Sequence, residues 1–321
     1  MKKFGKCIAS AVLCLLILPV SALGKELIPV GQVIGLELRD NCVTVAGIDE
    51  ELGAKTKADA LAVGDRIETI DGRKISTAED VRVALERSKG TVRLVISRKG
   101  ERKTLSLNPE ITEEGPKLGL YLRQGITGIG TVTYYDPETK NFGTLGHGVN
   151  NAGGQLLSLC QGNAYKARVV SLRKGVSGEP GQLLGAVEST DPIGTLTKNT
   201  SRGVFGTSQN GWQGKAVTVA EANEVKTGSA TILSTVSGNT VQEYSVEILK
   251  IYPKTKTNGR NLLLKVTDPQ LLQTTGGIVQ GMSGSPILQN GKLIGAVTHV
   301  LVSDPTTGYG IFIENMLDAA A

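Results

Sequence analysis

Histidine is nearly missing from this chain. There are two in 321 residues, alongside one tryptophan, four phenylalanines and four cysteines. Each scarcity excludes something. Aromatic residues make up 4% of the chain, and the 35 lysines and arginines are scattered around a net charge of +5. That leaves neither a stacking platform nor a basic stripe, so no nucleic-acid partner is expected. Two of the cysteines, Cys7 and Cys14, fall in an apolar N-terminal segment. The other two, Cys42 and Cys160, have no neighbours at metal-ligand spacing, and the histidines are far apart. No metal and no other cofactor is expected, and the two thiols are read as buried and apolar rather than bridged. Beyond the N-terminus no run is apolar enough to span a bilayer.

What is present is glycine, 41 residues of it, with 40% hydrophobic and 20% charged residues. This is the composition of a globular protein with many turns and short strands, long enough for two domains. The N-terminus is basic through Lys6. Ile8 to Val20 then forms an apolar run of 13 residues, followed by the small residues Ser21 and Ala22. Residues 1–24 read as a signal peptide or membrane anchor, so the N-terminal segment is transiently membrane-associated and the rest is exported.

A first module is expected over 27–109. Strand patterns occupy Gln32–Leu38 and Cys42–Gly47, and a helical turn covers Ala58–Leu61. Asp71-Gly72 is a hairpin signal. Thr77, with Asp80 three residues on, reads as a helix N-cap. Residues 110–117 carry Gly115 and Pro116 and read as a linker. From 118 to 321 short strands dominate and helical periodicity is weak, which indicates an all-β barrel or sandwich.

The chain is organised around Gly281-Met282-Ser283-Gly284-Ser285-Pro286. A serine hydroxyl is a poor nucleophile and must be exposed beside a base. Small neighbours let the backbone turn tightly, so that amides converge on an oxygen that becomes negative. The hexapeptide resembles the nucleophile turn of trypsin-like peptidases, and in that arrangement the amides would be those of Gly281 and Ser283. The base is expected at His147, which follows a hairpin, sits between glycines and precedes the serine. His299, 16 residues beyond Ser283 in a strand, is read as structural or as a wall of the substrate cleft. The acid is open between Asp268 and Asp191, both in Asp-Pro turns that turn formation alone could explain.

Two resemblances sharpen these readings. Ala58–Ile75, A-x-A-L-A-V-G-D-R-I-x-x-I-D-G-R-K-I, resembles a PDZ domain of the permuted type found on bacterial envelope proteases. Such domains bind a peptide as an added strand beside a helix. The resemblance implies that Gly31, Gln32, Ile34, Gly35 and Leu36 line the loop that receives a peptide terminus. Further on, T-L-G-H-G-V, K-V-T-D-P-Q-L-L and T-G-G-I-V-Q-G-M-S-G-S-P-I-L-Q-N-G-K-L-I-G-A-V-T-H-V resemble the stage IV sporulation protein B peptidase family. That resemblance implies a mainly β fold, with a small α+β PDZ domain before a trypsin-like two-β-barrel serine peptidase domain. It assigns His147, Asp268 and Ser283 as the triad. It also implies export to the space between the two forespore membranes, self-cleavage, and cleavage of a membrane-embedded regulator of an intramembrane protease, which releases a mother-cell sigma factor. Met282 stands where many trypsins place an activating aspartate, so activity is expected to be gated otherwise, through the PDZ module. A general envelope quality-control protease and an inactive PDZ scaffold remain the alternatives.

Overall fold

A computed structural model describes residues 24–151, 154–255 and 259–321. The expected signal segment, with Cys7 and Cys14, lies outside them except for Gly24. The chain opens with β1 (Glu26–Pro29) and β2 (Val33–Asp40). It then leaves to build a separate module before returning at Ile126. That module contains β3 (Val43–Ile48), α1 (Glu50–Thr56), β4 (Arg66–Ile70), β5 (Arg73–Lys74), α2 (Ala78–Arg87), β6 (Val92–Arg98), β7 (Glu101–Leu107), β8 (Glu110–Thr112), β9 (Gly115–Lys117) and β10 (Leu120–Arg123). Its sheet runs β10-β3-β4-β6-β7 with β5 on β4, and β8 and β9 form a hairpin. A core of its own, including Val43, Ile67, Leu85, Leu94 and Leu118, holds it together.

Local signals explain several of these elements. Asp71 and Gly72 take the positive φ values of 48° and 76° that a two-residue hairpin turn needs. Thr77 caps α2 reciprocally: the Asp80 amide donates to Thr77 Oγ1 at 3.0 Å and the Thr77 amide to Asp80 Oδ2 at 2.9 Å. A cap at Asp49, whose carboxylate accepts from the Leu52 amide at 2.8 Å, starts the short α1 that periodicity does not reveal.

The chain resumes with β11 (Ile126–Tyr135), β12 (Asn141–Thr144), the long hairpin of β13 (Leu159–Arg173) and β14 (Gln182–Thr200), β15 (Gly203–Ser208) and β16 (Val217–Thr218). The pairings β11–β12, β12–β15, β15–β14, β14–β13, β13–β2 and β2–β11 close a six-stranded barrel, and β1 and β16 extend it. The second barrel contains β17 (Gly228–Ser234), β18 (Gln242–Ile251), β19 (Leu262–Val266), β20 (Pro286–Gln289), β21 (Lys292–Leu301) and β22 (Asp304–Phe312), closed in the order β17-β18-β19-β22-β21-β20. Two short helices accompany it, α3 (Pro269–Thr275) and the C-terminal α4 (Ile313–Ala320). Leu27, Tyr134 and Phe205 of the first barrel pack against Leu293, Ile311 and Met316 of the second. The fold is mainly β, an α+β PDZ-like module with a trypsin-like pair of barrels.

The module boundaries differ from the expected 27–109, 110–117 and 118–321. β2 belongs to the first barrel, paired with both β11 and β13, and the PDZ-like module is inserted into the β2–β11 pair. Residues 110–117 are its β8–β9 hairpin, not a linker. An alternating apolar strand reports that one face is buried but not which sheet buries it, and Val33–Asp40 fits either neighbour. Cys160 is exposed, against the reading of two buried thiols, and both cysteines are free. Cys42 is buried at the joint, its thiol donating to Asp40 Oδ2 at 3.1 Å, and burial pushes its pKa up to about 11.

Candidate active site

Ser283 sits in the turn that leads into β20, and the turn is pinned from both sides. The β11 residues Thr131 and Thr133 hold its carbonyls: Thr131 Oγ1 donates to Gly281 O at 2.8 Å, the Thr131 amide to Ser283 O at 3.0 Å, and Thr133 Oγ1 to Gly284 O at 2.7 Å. On the other side the Gly284 amide donates to Val297 O at 2.8 Å. Glycine is needed at 284, where φ is +98° and a Cβ would lie 2.0 Å from Thr131 O. With the carbonyls so engaged, the Gly281 and Ser283 amides have no acceptor among the described residues. Two adjacent unpaired donors beside a hydroxyl can stabilise an oxyanion. Met282, between them, is fully buried in the second-barrel core.

His147 follows β12 through Leu145 and Gly146, both at φ 68°. Its Nδ1 lies 3.0 Å from Gly148 O. A carbonyl can only accept, so Nδ1 carries the proton and Nε2 keeps the lone pair that a general base uses. The Asn199 side chain holds the following backbone, accepting from the Val149 amide at 2.9 Å and donating to Val149 O and Leu157 O at 2.8 Å. Burial lowers the His147 pKa, only partly offset by the Gly148 carbonyl.

The rings of His147 and His299 lie 5.2 Å apart at 41°. His299 is on β21 opposite Tyr309 of β22, and its buried Nδ1 has no hydrogen-bond partner among the described residues. Burial first, then His147 and Arg260, push its pKa down to about 4, so it is neutral at pH 7. The Ser283 hydroxyl donates to Thr298 O, next to His299, at 2.8 Å. In this state it is turned onto the β21 backbone, and attack on a carbonyl requires it to rotate towards His147.

The structure brings Ser283, Gly281, His147 and His299 together and leaves both candidate acids out. Asp268 caps α3, Oδ1 accepting from the Leu271 amide at 3.0 Å and Oδ2 from the Ser245 amide at 3.4 Å. It lies beyond the end of β19 where Lys265 faces Thr307, whereas His299 lies at the Tyr309 level of β22. Asp191 is exposed and bonded to Ser189. Among the described residues no carboxylate hydrogen-bonds or ion-pairs with His147. The backbone of Gly148 fixes the tautomer that an acid would otherwise fix. The sequence did signal His299, in a strand near the nucleophile, but nothing there placed it against the other histidine.

Gly31, Gln32, Ile34, Gly35 and Leu36 do not form a loop of the PDZ-like module. Ile34 to Leu36 pair with β11 and β13 inside the first barrel. Gly31 packs on Leu233, where a Cβ would lie 2.7 Å from the Leu233 Cβ, and Gln32 accepts from Trp212 Nε1 at 3.0 Å. The module's own cleft lies between α2 and the edge strand β10. It is a cavity of about 470 Å³ lined by Val81 and Leu85 from the helix and by Lys117 to Leu122. The turn entering β10 needs Gly119, with φ +68° and a Cβ position 2.8 Å from the Gly53 amide nitrogen.

The family described as SpoIVB peptidase S55 matches residues 114–317. No curated protein sequence matches. Among solved structures, the PDZ domain of the SdrC-like protein from Listeria monocytogenes is 23% identical, with 26% of this chain and 87% of that one covered and a TM-score of 0.23. The Rv3671c protease from M. tuberculosis in its active form is 16% identical over 61% of this chain and 73% of that one, with a TM-score of 0.37. Its inactive form is 15% identical over 60% and 82%, with a TM-score of 0.35.

Proposed function

The chain belongs to the SpoIVB peptidase S55 family, and from that premise we propose that it is a signalling peptidase of sporulation whose PDZ module gates its catalytic site. The chain is a PDZ-associated serine endopeptidase. In the proposed reaction Ser283 Oγ attacks the scissile carbonyl, and His147 Nε2 takes its proton and returns it to the leaving amine. The Gly281 and Ser283 amides receive the oxyanion. The substrates are the chain's own N-terminal stretch and a membrane-embedded regulator of an intramembrane protease, met outside the cytoplasm between the two forespore membranes. Among the described residues no helix is long and apolar enough to cross a membrane, so membrane attachment would rest with the N-terminal segment.

The observation that carries the gating reading is the resting position of Ser283, on Thr298 O rather than on His147. The PDZ-like module joins β2 and β11 through two-residue connections, 41–42 and 124–125. Gly125 is so tightly placed that a Cβ there would lie 2.1 Å from Leu38 O. β11 in turn holds the Ser283 turn through Thr131 and Thr133. A peptide added to the β10 edge, its terminus at Lys117–Leu120, would pull on the strand that positions the nucleophile. The test is incubation of the purified protein with a membrane regulator of this class and with casein. Fluorophosphonate labelling of Ser283 with selective cleavage of the regulator and of the protein itself supports the reading. Digestion of casein at a similar rate would mark a quality-control protease instead, and absence of labelling an inactive scaffold.

A further inference from the structure

Beside the Ser283 turn lies a depression of about 520 Å³ that none of the residues assigned above fills. It is cut into the first barrel between β2, β11 and the start of β14. Its inner wall, Ile129 and Leu183, is also what Gly281 packs on: a Cβ at 281 would lie 3.0 Å from the Leu183 Cβ and 3.3 Å from the Ile129 Cδ1. Leu183 is held there by its amide, which donates a hydrogen bond to Gln280 O at 2.8 Å. The cavity therefore begins one residue from an oxyanion donor.

Its composition says what it accepts. Three glycines, Gly35, Gly128 and Gly185, line it. Gly35 faces Ile129 across the β2–β11 pair and so shares its strand face. A Cβ at Gly35 would lie 2.7 Å from Val187 Cγ2, and its φ is not in the left-handed region, so the missing side chain rather than backbone geometry keeps the pocket open between Ile129 and Val187. Leu184 and Val187 are half-exposed at its mouth. The charged group at its rim is already committed: the Glu37 carboxylate accepts from Tyr165 Oη at 2.8 Å and from Arg39 Nε at 2.9 Å. A basic side chain would find no free partner there, while an apolar one would bury surface on both sides.

We propose that this depression is a specificity pocket for a bulky apolar side chain close behind the scissile bond, on the leaving-group side. It rests on the serine-peptidase reading of Ser283. β20 pairs with β21 only as far as Ala296, so the stretch from Thr298 onward is open on that side next to the serine hydroxyl and can take the acyl half of a substrate as an added strand. The pocket lies across Gly281 from that edge, along the path of the departing chain. The substrate class is thus a polypeptide with Leu, Ile, Met or Phe within the first three residues after the cleaved bond.

A library of quenched-fluorescent peptides, varied on both sides of the cleaved bond and given to the full-length protein, tests this. The expected result is a Leu/Ile/Met/Phe preference within those three positions. Thr127 lines the depression on the same strand face as Ile129 and is exposed; in Thr127→Trp the indole crowds the pocket, and the ratio of kcat/KM for Leu over Ala at that position should fall about tenfold or more, the scale of apolar-pocket discrimination. Val187→Ala, at the mouth, should shift the preference towards larger side chains, and thermal melts report that both variants fold. A fluorophosphonate-reactive enzyme with no apolar preference on that side, or with a profile unchanged by Thr127→Trp, overturns the pocket and leaves the peptidase reading standing. Absence of labelling and of cleavage in the wild type overturns both.

Discussion

At the scale of single residues, the two serines of the motif have different work. Ser283 faces the cleft, whereas Ser285 is fully buried and its hydroxyl donates to Ser234 Oγ at 3.0 Å. Ser283→Ala should lower cleavage of self and substrate by several orders of magnitude with an unchanged melting temperature. Ser285→Ala should keep activity and cost about 1 kcal/mol of stability in denaturant unfolding, because Ser234 loses a buried partner. The histidines carry a pH prediction. The folded-state pKa of His299 is depressed from its ordinary 6.5 to about 4. The unfolded chain therefore binds more protons between those values, and stability is full above pH 6.5 and lost as pH falls towards 4. His147, lowered by burial, adds in the same direction. Melting temperatures of wild type and His299→Gln across pH 4–7 check this: the variant should show a flatter acid slope. In the same series the acid limb of kcat/KM should fall below pH 6.5, because His147 stays neutral, and able to accept a proton, further into acid.

At the scale of elements, Asp268 and β2 mark where sequence reasoning reached its limit. Asp268-Pro269 has the form of a helix start, a capping side chain followed by proline at the first helical position. α3 is only seven residues long, too short to show a period. Asparagine caps a helix about as well as aspartate. Asp268→Asn should therefore leave the melting temperature and kcat/KM close to wild type, and Asp268→Ala should cost about 1 kcal/mol. A large loss of kcat in a folded Asp268→Asn would return the triad acid to this position. Signals encoded within a few residues were legible. Asn290-Gly291 makes its hairpin at φ 52° and 75°, and Thr77 with Asp80 makes its capping box. The serine turn was legible too, since its glycines answer to local backbone geometry. Pairing between distant segments was not: nothing in Val33–Asp40 tells that its partner Ile126–Thr131 waits beyond an inserted module, and nothing around His299 tells that the His147 ring lies beside it.

At the scale of the whole molecule, the insertion decides how gating can be tested. Removing residues 27–109 would take away β1 and β2, and β2 is a closing strand of the first barrel. Loss of activity would then report only a broken barrel. The register supplies a cleaner cut. Leu38 faces Ile126 across the antiparallel β2–β11 pair, so the ends that the PDZ-like module joins are adjacent, and a short Asn-Gly turn can close them in its place. The excised module takes its own core with it, leaving the Gly281–Ser285 turn, His147 and the barrel interface intact. This shortened protein should fold, as judged by a single cooperative melt, and Ser283 should still react with a small fluorophosphonate. If the module gates the site, its removal should change the rate or placement of self-cleavage. A charge reversal in the full-length protein, Lys117→Glu at the end of β9, should shift self-cleavage without touching the barrels, because it repels a peptide carboxylate there. Self-processing, substrate choice and rate identical to the full-length protein in both variants would mean that the module neither gates the site nor tethers substrate, and the coupling through Thr131 and Thr133 would have no regulatory role.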